Sequence, residues 1–329
     1  MKKNEYLFVR RQLNFSLQTK ILIVHGLCDF ALMGAALALS MTASVFTSFL
    51  AAGVLSVFFF RQFALMHEAV HGLTFKNRRL NHIIGFISGV FCFLPYDLWK
   101  KIHLQHHYWS GNYMKDPTLE IIKRYPRLSE SIKGLFNTSW KTGFPFTAFN
   151  QQVVFWYHSY KLWRETPKNI QSAVNFLLPL LFWVAVFSTV SSFLLLSMVF
   201  GIFGYLMMIE TVNLPHHVGL YLNQEEMNEN SHLPSWEQHA VSRSCRYPKW
   251  IETFVTLNFN YHTEHHMYVD LPWHELPKAH QLLQKSEVSS QLHIVTTGWL
   301  NQQRAYSIEN FIFPNSGKSP ETLNESEAA

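Results

Sequence analysis

Two histidines flank Glu68 in the stretch HEAVH, at positions His67 and His71. On a helix, this H-E-x-x-H spacing places both imidazoles on one face, where they can bind zinc while the glutamate serves as general base for peptide hydrolysis. Taken alone, the motif predicts a zinc metalloprotease. That prediction depends on which other metal-ligating side chains lie nearby.

Three further groups of closely spaced histidines follow in a chain that contains 18 in all. They are His103, His106 and His107 in HLQHH, His216 and His217 beside Asn213 in NLPHH, and His262, His265 and His266 in HTEHH. On a helix, positions i, i+3 and i+4 fall at about 0°, 300° and 40°. Each H-x-x-H-H box therefore presents a stripe of three imidazoles that could bind two metals.

The number of histidines is the main argument against a single zinc ion, which takes four ligands. Nine or ten clustered imidazoles would also be difficult to satisfy by hydrogen bonds alone. The sequence therefore predicts two metals. Imidazole binds iron, copper, zinc and nickel, so the ligand type does not identify the ion.

The elements that position these boxes are predicted to be membrane helices. Only 15% of the 329 residues are charged, against roughly 25% in soluble domains. A bilayer-spanning helix needs about 20 apolar residues. Four runs meet this length, and a shorter one is expected to be re-entrant or interfacial: the spans cover residues 21–40, 42–66, 173–190 and 192–212, and the short segment covers residues 83–95.

Basic residues predict the orientation of these spans. Lysine and arginine precede the first span and follow the second, whereas the two hairpin turns contain neither. By the positive-inside rule, both termini are cytoplasmic. We expect an all-α, multi-pass membrane protein with two hairpins and a cytoplasmic histidine-rich helical cap. Residues 1–20 would form a cytoplasmic arm without a cleaved signal peptide, and residues 313–329 a disordered tail.

The boxes HEAVH, HLQHH and HTEHH, in this order and interleaved with paired spans, resemble the integral-membrane fatty acid desaturase and hydroxylase superfamily. The flanking sequences PYDLWKKIHLQHHYWSGNYMKDPT and NFNYHTEHHMYVDLPWHELPKAH are similar to its acyl-lipid desaturase branch. The resemblance implies a desaturase domain over residues 21–312. It also implies a non-haem di-iron centre at the cytoplasmic membrane face, which activates O2 and abstracts hydrogen from an acyl chain.

The resemblance further implies a ligand set. One iron would be bound by His67, His71, His107 and His266; the other would be bound by His103, His106, His217, His262 and His265, with Asn213 holding a metal-bound water. In this division, i and i+3 of a box lean one way and i+4 the other. The di-iron centre itself would be catalytic, with no separate acid or base residue.

Several neighbouring residues are expected to support the ligands. Glu68 and Glu264 are interpreted as carboxylates that orient imidazoles rather than as general bases. Asp116 fits that role and a helix cap equally well, and the role of His216 stays open. His25 and Asp29, inside the first span, are either functional candidates, as ionisable residues in a membrane helix are by default, or partners of each other, and they are left outside the site. Seven histidines without box spacing are interpreted as surface or interfacial: His82, His158, His232, His239, His274, His280 and His293.

The function expected from the resemblance is O2-dependent desaturation of a fatty acyl chain in a lipid or thioester. A hydroxylase or ketolase acting on a carotenoid, sterol or alkane begins with the same hydrogen abstraction and stays open, and the zinc protease is a remote alternative. We find no dinucleotide-binding loop, no iron–sulfur cysteine set and no H-P-G-G haem motif. The implied electron donor is a separate ferredoxin or cytochrome b5 with its reductase. The protein itself is expected in a bacterial inner membrane or the endoplasmic reticulum. No nucleic-acid partner is expected.

Overall fold

The computed structural model describes residues 1–166, 168–222, 232–296 and 298–313. All but the first residue of the predicted disordered tail lie outside the described residues. In chain order the α-helices are α1 (Lys3–Arg10), α2 (Thr19–Met41), α3 (Val45–Val70), α4 (Arg78–Phe91), α5 (Tyr96–Trp109), α6 (Glu120–Arg124), α7 (Glu130–Thr142), α8 (Phe146–Glu165), α9 (Ile170–Thr189), α10 (Ser192–Val212), α11 (His262–Met267), α12 (Leu276–Leu283), α13 (Trp299–Gln303) and α14 (Ile308–Ile312).

Four of these helices, α2, α3, α9 and α10, are long and apolar enough to cross a membrane. They form two hairpins, and the prediction of an all-α protein with four transmembrane helices is confirmed. Helices α3 and α10 pack closely because small residues line their contact: Ser56 Oγ donates to the Gly201 carbonyl at 3.0 Å. A Cβ at Gly201 would lie 2.8 Å from that of Leu55. This packing brings the histidine-bearing ends of both helices together.

The short apolar segment predicted at residues 83–95 contains the end of α4 and the turn that follows it. Helix α4 has 14 residues, which is too short for a membrane span. The chain bends by 105° between α4 and α5. Gly85 allows this bend, since a Cβ there would collide with the Tyr96 ring. The turn directs α5, with the second histidine box, back towards α3.

A small parallel sheet adds to the expected helical cap. Strands β1 (Arg243–Arg246) and β2 (His293–Thr296) pair with Arg243 opposite His293. Two hydrogen bonds join Asn260 to Cys245 of β1. The Cys245 backbone N–H donates to the Asn260 carbonyl at 3.0 Å, and Asn260 Nδ2 donates to the Cys245 carbonyl at 2.9 Å. These bonds hold the segment that leads into α11, which bears the third histidine box.

The N-terminal arm, predicted only to be cytoplasmic, contains α1 and packs against the third box. Tyr6 Oη donates to the carbonyl of Met267 at 3.0 Å, and its ring stacks on Tyr268 with centroids 4.8 Å apart. Arg10 makes a two-pronged ion pair with Asp270. The arm therefore contacts both sides of the turn that ends α11.

The polar residues inside the first span do not pair with each other, which was one of the two alternatives left open for them. Asp29 forms a buried ion pair with Arg61 of α3 rather than with His25. Arg61 is 1% exposed, donates to the His25 carbonyl at 2.9 Å, and also donates to the Phe254 carbonyl. Arg61 thus links both helices of the first hairpin to the π-helix Ile251–Val255 that precedes the third box.

Candidate metal centre

Nine histidine side chains meet in two adjacent groups, in each of which the nearest ligand atoms lie within 4.8 Å of one another. They come from α3 and the residue that follows it, from α5, from α11 and from the loop after α10. The five-histidine cluster comprises His67, His71, His103, His107 and His265, and the four-histidine cluster comprises His106, His217, His262 and His266. The structure therefore brings together all nine histidines that the sequence singled out. Seven are buried, and His71 and His217 are half-buried.

The division of these histidines between the two groups differs from the expected one. His103 and His107 share one cluster while His106 lies in the other. In the third box, His262 and His266 likewise share a cluster that excludes His265. The reason is angular, because i and i+4 are about 40° apart on a helix whereas i+3 lies about 60° to the other side of i. The division implied by the resemblance joined i with i+3, whereas the two clusters join i with i+4.

Within the four-histidine cluster, the Nε2 atoms face one another. His217 Nε2 lies 3.1 Å from His106 Nε2 and 2.8 Å from His262 Nε2, and His266 Nε2 lies 3.1 Å from His262 Nε2. The five-histidine cluster has the same arrangement. His103 Nε2 lies 2.9 Å from the Nε2 of His71 and 3.0 Å from that of His107.

The opposite ring nitrogens of two ligand candidates donate to fixed oxygen acceptors. His217 Nδ1 lies 2.8 Å from the Val241 carbonyl oxygen. His266 Nδ1 lies 2.8 Å from Gln238 Oε1, whose orientation is set because Gln238 Nε2 donates to the His107 carbonyl at 3.0 Å. Both acceptors require a proton on Nδ1, so a neutral imidazole presents an Nε2 lone pair to the cluster.

Asp116 gives His106 the same tautomer. Both carboxylate oxygens lie 3.0 Å from His106 Nδ1. Asp116 also accepts from the Thr118 backbone N–H at 2.9 Å and thereby caps the short helix after it. Burial alone would raise the pKa of Asp116, but the neighbouring His106 holds it below its usual value. The two roles left open for Asp116 coexist in the structure.

This donor set fits a metal ion. In the four-histidine cluster, three Nε2 lone pairs converge at distances where they repel unless a cation lies between them. Burial, followed by the neighbouring His106, lowers the pKa of His217 to about 3. Burial, followed by Lys100, lowers the pKa of His71 to about 3. These imidazoles are therefore neutral near pH 7, which metal binding requires.

Two other predicted residues contact the ligands. Glu68 Oε1 lies 3.4 Å from His67 Nδ1, and its second oxygen accepts from the Trp273 backbone N–H at 3.3 Å. His216 stacks on His262, with ring centroids 4.0 Å apart and planes 11° apart. Among the described residues, neither His216 nitrogen has a hydrogen-bond partner. Glu68 therefore supports an imidazole by a polar contact and His216 by ring stacking.

Glu264, expected to orient a ligand imidazole, lies instead against His280 Nδ1 and accepts from Ser244 Oγ at 2.6 Å. His280 is 2% exposed, so its interpretation as a surface histidine is wrong. Ser244 Oγ also accepts from the Thr263 backbone N–H at 3.0 Å. Glu264 thus anchors α11 as a whole.

The remaining histidines have mixed positions. His239 is buried, contrary to expectation, whereas His158 and His232 are exposed. Gln238 was missed because a single glutamine has no distinguishing spacing in the sequence. The same is true of the Val241 carbonyl, which any residue could supply.

An apolar cavity adjoins both clusters, with about 1390 Å³ of empty space including its open mouth. His67 and His103 of one cluster, and His106, His217 and His262 of the other, form part of its wall. Asn213, at the end of α10, lines it as well. The rest of the wall is largely aromatic and aliphatic. It includes Trp99, Phe155, Ile209 and Phe259, and also Ile308, Phe311 and Ile312 of α14.

Residues 32–297 match the family model described as fatty acid desaturase. The chain is 27% identical over 245 residues to a fatty acid desaturase of Bacillus subtilis (strain 168), covering 70% of this chain and 66% of that protein. Over 245 residues it is 22% identical to the chloroplastic omega-6 fatty acid desaturase of Glycine max, with 68% and 53% covered. A zeaxanthin 4-ketolase of Chlamydomonas reinhardtii is 26% identical over 223 residues, with 67% and 41% covered.

The chain thus spans between about two fifths and two thirds of the length of these relatives. The family model covers well over half of the chain and includes all three histidine boxes. The order of the boxes, the four apolar helices and the paired histidine clusters agree with that match. The chain belongs to the fatty acid desaturase family.

Proposed function

We propose that the protein is an O2-dependent oxidoreductase that introduces a double bond into a fatty acyl chain, through a desaturase domain over residues 21–312. The main support is the apolar cavity whose wall includes imidazoles of both histidine clusters. A hydrocarbon chain in this cavity would have methylene groups beside both metal positions. The same walls bury the chain away from water.

The two clusters would hold two non-haem iron ions, one each. Iron bound there supplies the chemistry that activates O2 and removes hydrogen from unactivated carbon. In the overall reaction, two adjacent methylenes each lose one hydrogen as the double bond forms. With two electrons and two protons from outside, O2 is reduced to two waters. The protein's task is to bind the iron, to orient the acyl chain and to exclude water.

The chain's own residues contribute by fixing the ligands before metal binds. Three groups each accept a hydrogen bond from the Nδ1–H of a ligand histidine: Asp116, Gln238 and the Val241 carbonyl. Each of these bonds directs the Nε2 lone pair of that histidine towards the cluster. Outer contacts of this kind raise ligand basicity and prevent ring rotation. Asn213, which lines the same cavity as His217, would hold a water bound to the metal of the four-histidine site. We assign no separate acid or base residue.

The electrons would come from a separate ferredoxin or cytochrome b5, fed by a reductase. By the distribution of basic residues, the clusters and both termini would be cytoplasmic, in a bacterial inner membrane or the endoplasmic reticulum. A donor would then reach the cluster-bearing end from the cytoplasm. The substrate is the acyl chain of a lipid or thioester.

Expression in a host of known lipid composition tests this proposal. Mass spectrometry of the host's fatty acids should show a new double bond with the wild-type protein and none with His106→Ala or His265→Ala, which remove one ligand from each cluster. Both variants should still insert into the membrane. Retention of the double bond in either variant would remove that cluster from the mechanism.

A second candidate is a hydroxylase or ketolase, favoured by the similarity to zeaxanthin 4-ketolase. The same hydrogen abstraction would begin either reaction. Expression in a carotenoid-producing host distinguishes them, because a new pigment oxygen without a new acyl double bond would support the ketolase. The zinc protease is disfavoured because His67 and His71 join three further histidines in one cluster.

A further inference from the structure

A groove on the outer surface of the helices adjoins the apolar cavity. It lies between α8 and α10, beside the turn at Phe93. Gln152 and Tyr205 belong to the walls of both the groove and the cavity. The two spaces are therefore separated by these two side chains. The rest of the groove is almost wholly apolar, with Val153, Trp156 and Ile202 among its walls.

The barrier between groove and cavity is held by few polar contacts. Tyr205 Oη donates to the Cys92 carbonyl at 2.9 Å, which fixes the ring. Gln152 Nε2 donates to Tyr205 Oη at 3.4 Å, a long hydrogen bond. Among the described residues, Gln152 Oε1 has no partner. Within the described part of the chain, rotating the Gln152 side chain breaks only that long hydrogen bond, so the barrier can open without unfolding either helix.

The groove faces the region where a bilayer surrounds the spans. Helix α10 is one of the four apolar spans. Helix α8 exposes the apolar side chains of Phe149 and Val153 together with Tyr157, and tyrosine concentrates at membrane interfaces. Tyr205 lies seven residues, or about 10 Å, before the histidine end of α10 at Val212. The groove therefore opens into the half of the bilayer nearer the clusters.

We infer that this groove is a lateral access site, through which the hydrocarbon chain of a membrane lipid passes from the adjacent leaflet into the cavity between Gln152 and Tyr205. The inference rests on the proposed function and names its substrate as the acyl chain of a bilayer lipid. A lipid chain entering here stays in apolar surroundings along its whole path. Its headgroup remains at the interface, so no polar group has to cross the protein interior.

The test uses full-length protein in nanodiscs made with a phosphatidylcholine that bears a photoreactive diazirine in the middle of one acyl chain. Illumination and peptide mass spectrometry then locate the crosslinks. We expect crosslinks to α8 and α10 along the groove and to Ile209 inside the cavity. The variant Val153→Trp fills the groove at a side chain that is 50% exposed. Its control, Val199→Trp, adds the same bulk to α10 at a position 52% exposed.

Crosslinking of Ile209 should fall at least tenfold in Val153→Trp and stay unchanged in Val199→Trp. Equal crosslinking of Ile209 in the two variants overturns the lateral access site. So does an absence of crosslinks along the groove. If Val153→Trp does not fold, Gln152→Ala provides the second test, because removal of the barrier should raise crosslinking of Ile209 several-fold. Unchanged crosslinking would contradict the inference.

Failure of this inference is distinguishable from failure of the proposed function. Lipid crosslinks in the cavity without any double bond in the expression experiment would leave the access site standing and remove desaturation. A double bond formed at the wild-type rate by Val153→Trp would leave desaturation standing and remove the access site. Equal labelling of Ile209 in both variants by a water-soluble acyl thioester probe would show a different route into the cavity.

Discussion

Replacement of Asp116 by asparagine tests the role of the contact with His106. The substitution keeps the size of the side chain but removes the charge that accepts the His106 Nδ1 proton at 3.0 Å. The amide can also turn its NH2 group to Nδ1 and so favour the wrong tautomer. Loss of such an outer contact typically weakens metal binding by about 10 to 100-fold, which corresponds to about 1.4 to 2.7 kcal/mol.

The effect should be confined to the four-histidine cluster, since His106 is the one ligand histidine that Asp116 hydrogen-bonds among the described residues. Iron-loaded Asp116→Asn, challenged with a graded series of chelator, should lose about half of its iron at 10 to 100-fold lower chelator than wild type. The control Asp97→Asn removes a carboxylate that bonds Gln171 and Asn175 away from both clusters. It should behave as wild type. The reasoning would be refuted if Asp116→Asn kept all of its iron at the chelator concentrations that wild type withstands. It would also be refuted if the variant lost the iron of both clusters at the same chelator concentration.

Three further predictions concern acid, a second ligand support and the buried ion pair. Because burial lowers the pKa of His217 to about 3, the unfolded metal-free chain takes up protons that the folded one does not. Stability is therefore lost as the pH falls from about 6.5 towards 3, by up to about 1.4 kcal/mol per pH unit for each such histidine. A metal-free Tm that does not fall between about pH 7 and pH 5 would contradict this. Gln238→Ala removes the acceptor for the His266 Nδ1 proton and should weaken iron retention by about tenfold or more. Chelator titration measures this loss. Iron retention equal to that of the wild type would show that the contact is dispensable. Arg61→Met leaves the buried Asp29 without its partner and should cost about 3 to 5 kcal/mol of unfolding free energy. Adding Asp29→Asn to the same chain should restore part of this loss. Denaturant unfolding in detergent measures the single and double variants, and losses that simply add in the double variant would argue against the pairing.

Spacing and composition were sufficient to predict the four spans and the meeting of the nine histidines. Those features depend on local properties, namely apolar length and helical periodicity. The division of the ligands implied by the resemblance placed i+3 beside i. In the structure i+4 lies beside i instead, because His107 shares a cluster with His103 and not with His266.

The supporting contacts could not be predicted, because they join residues that are distant in the chain. Gln238 meets His266 across 28 positions, and Arg61 meets Asp29 across 32. His280 is buried where Glu264 faces it from another helix. None of these residues has a spacing that distinguishes it from surface residues of the same type. Tertiary packing alone assigns their roles.

The metal content of purified full-length protein tests the central claim most directly. Two adjacent clusters, each with converging lone pairs, predict about two irons per chain by elemental analysis. The His106→Ala and His265→Ala variants should each lose about one of them. A preparation with one zinc per chain and no iron, able to bind no iron when reconstituted, would contradict the claim.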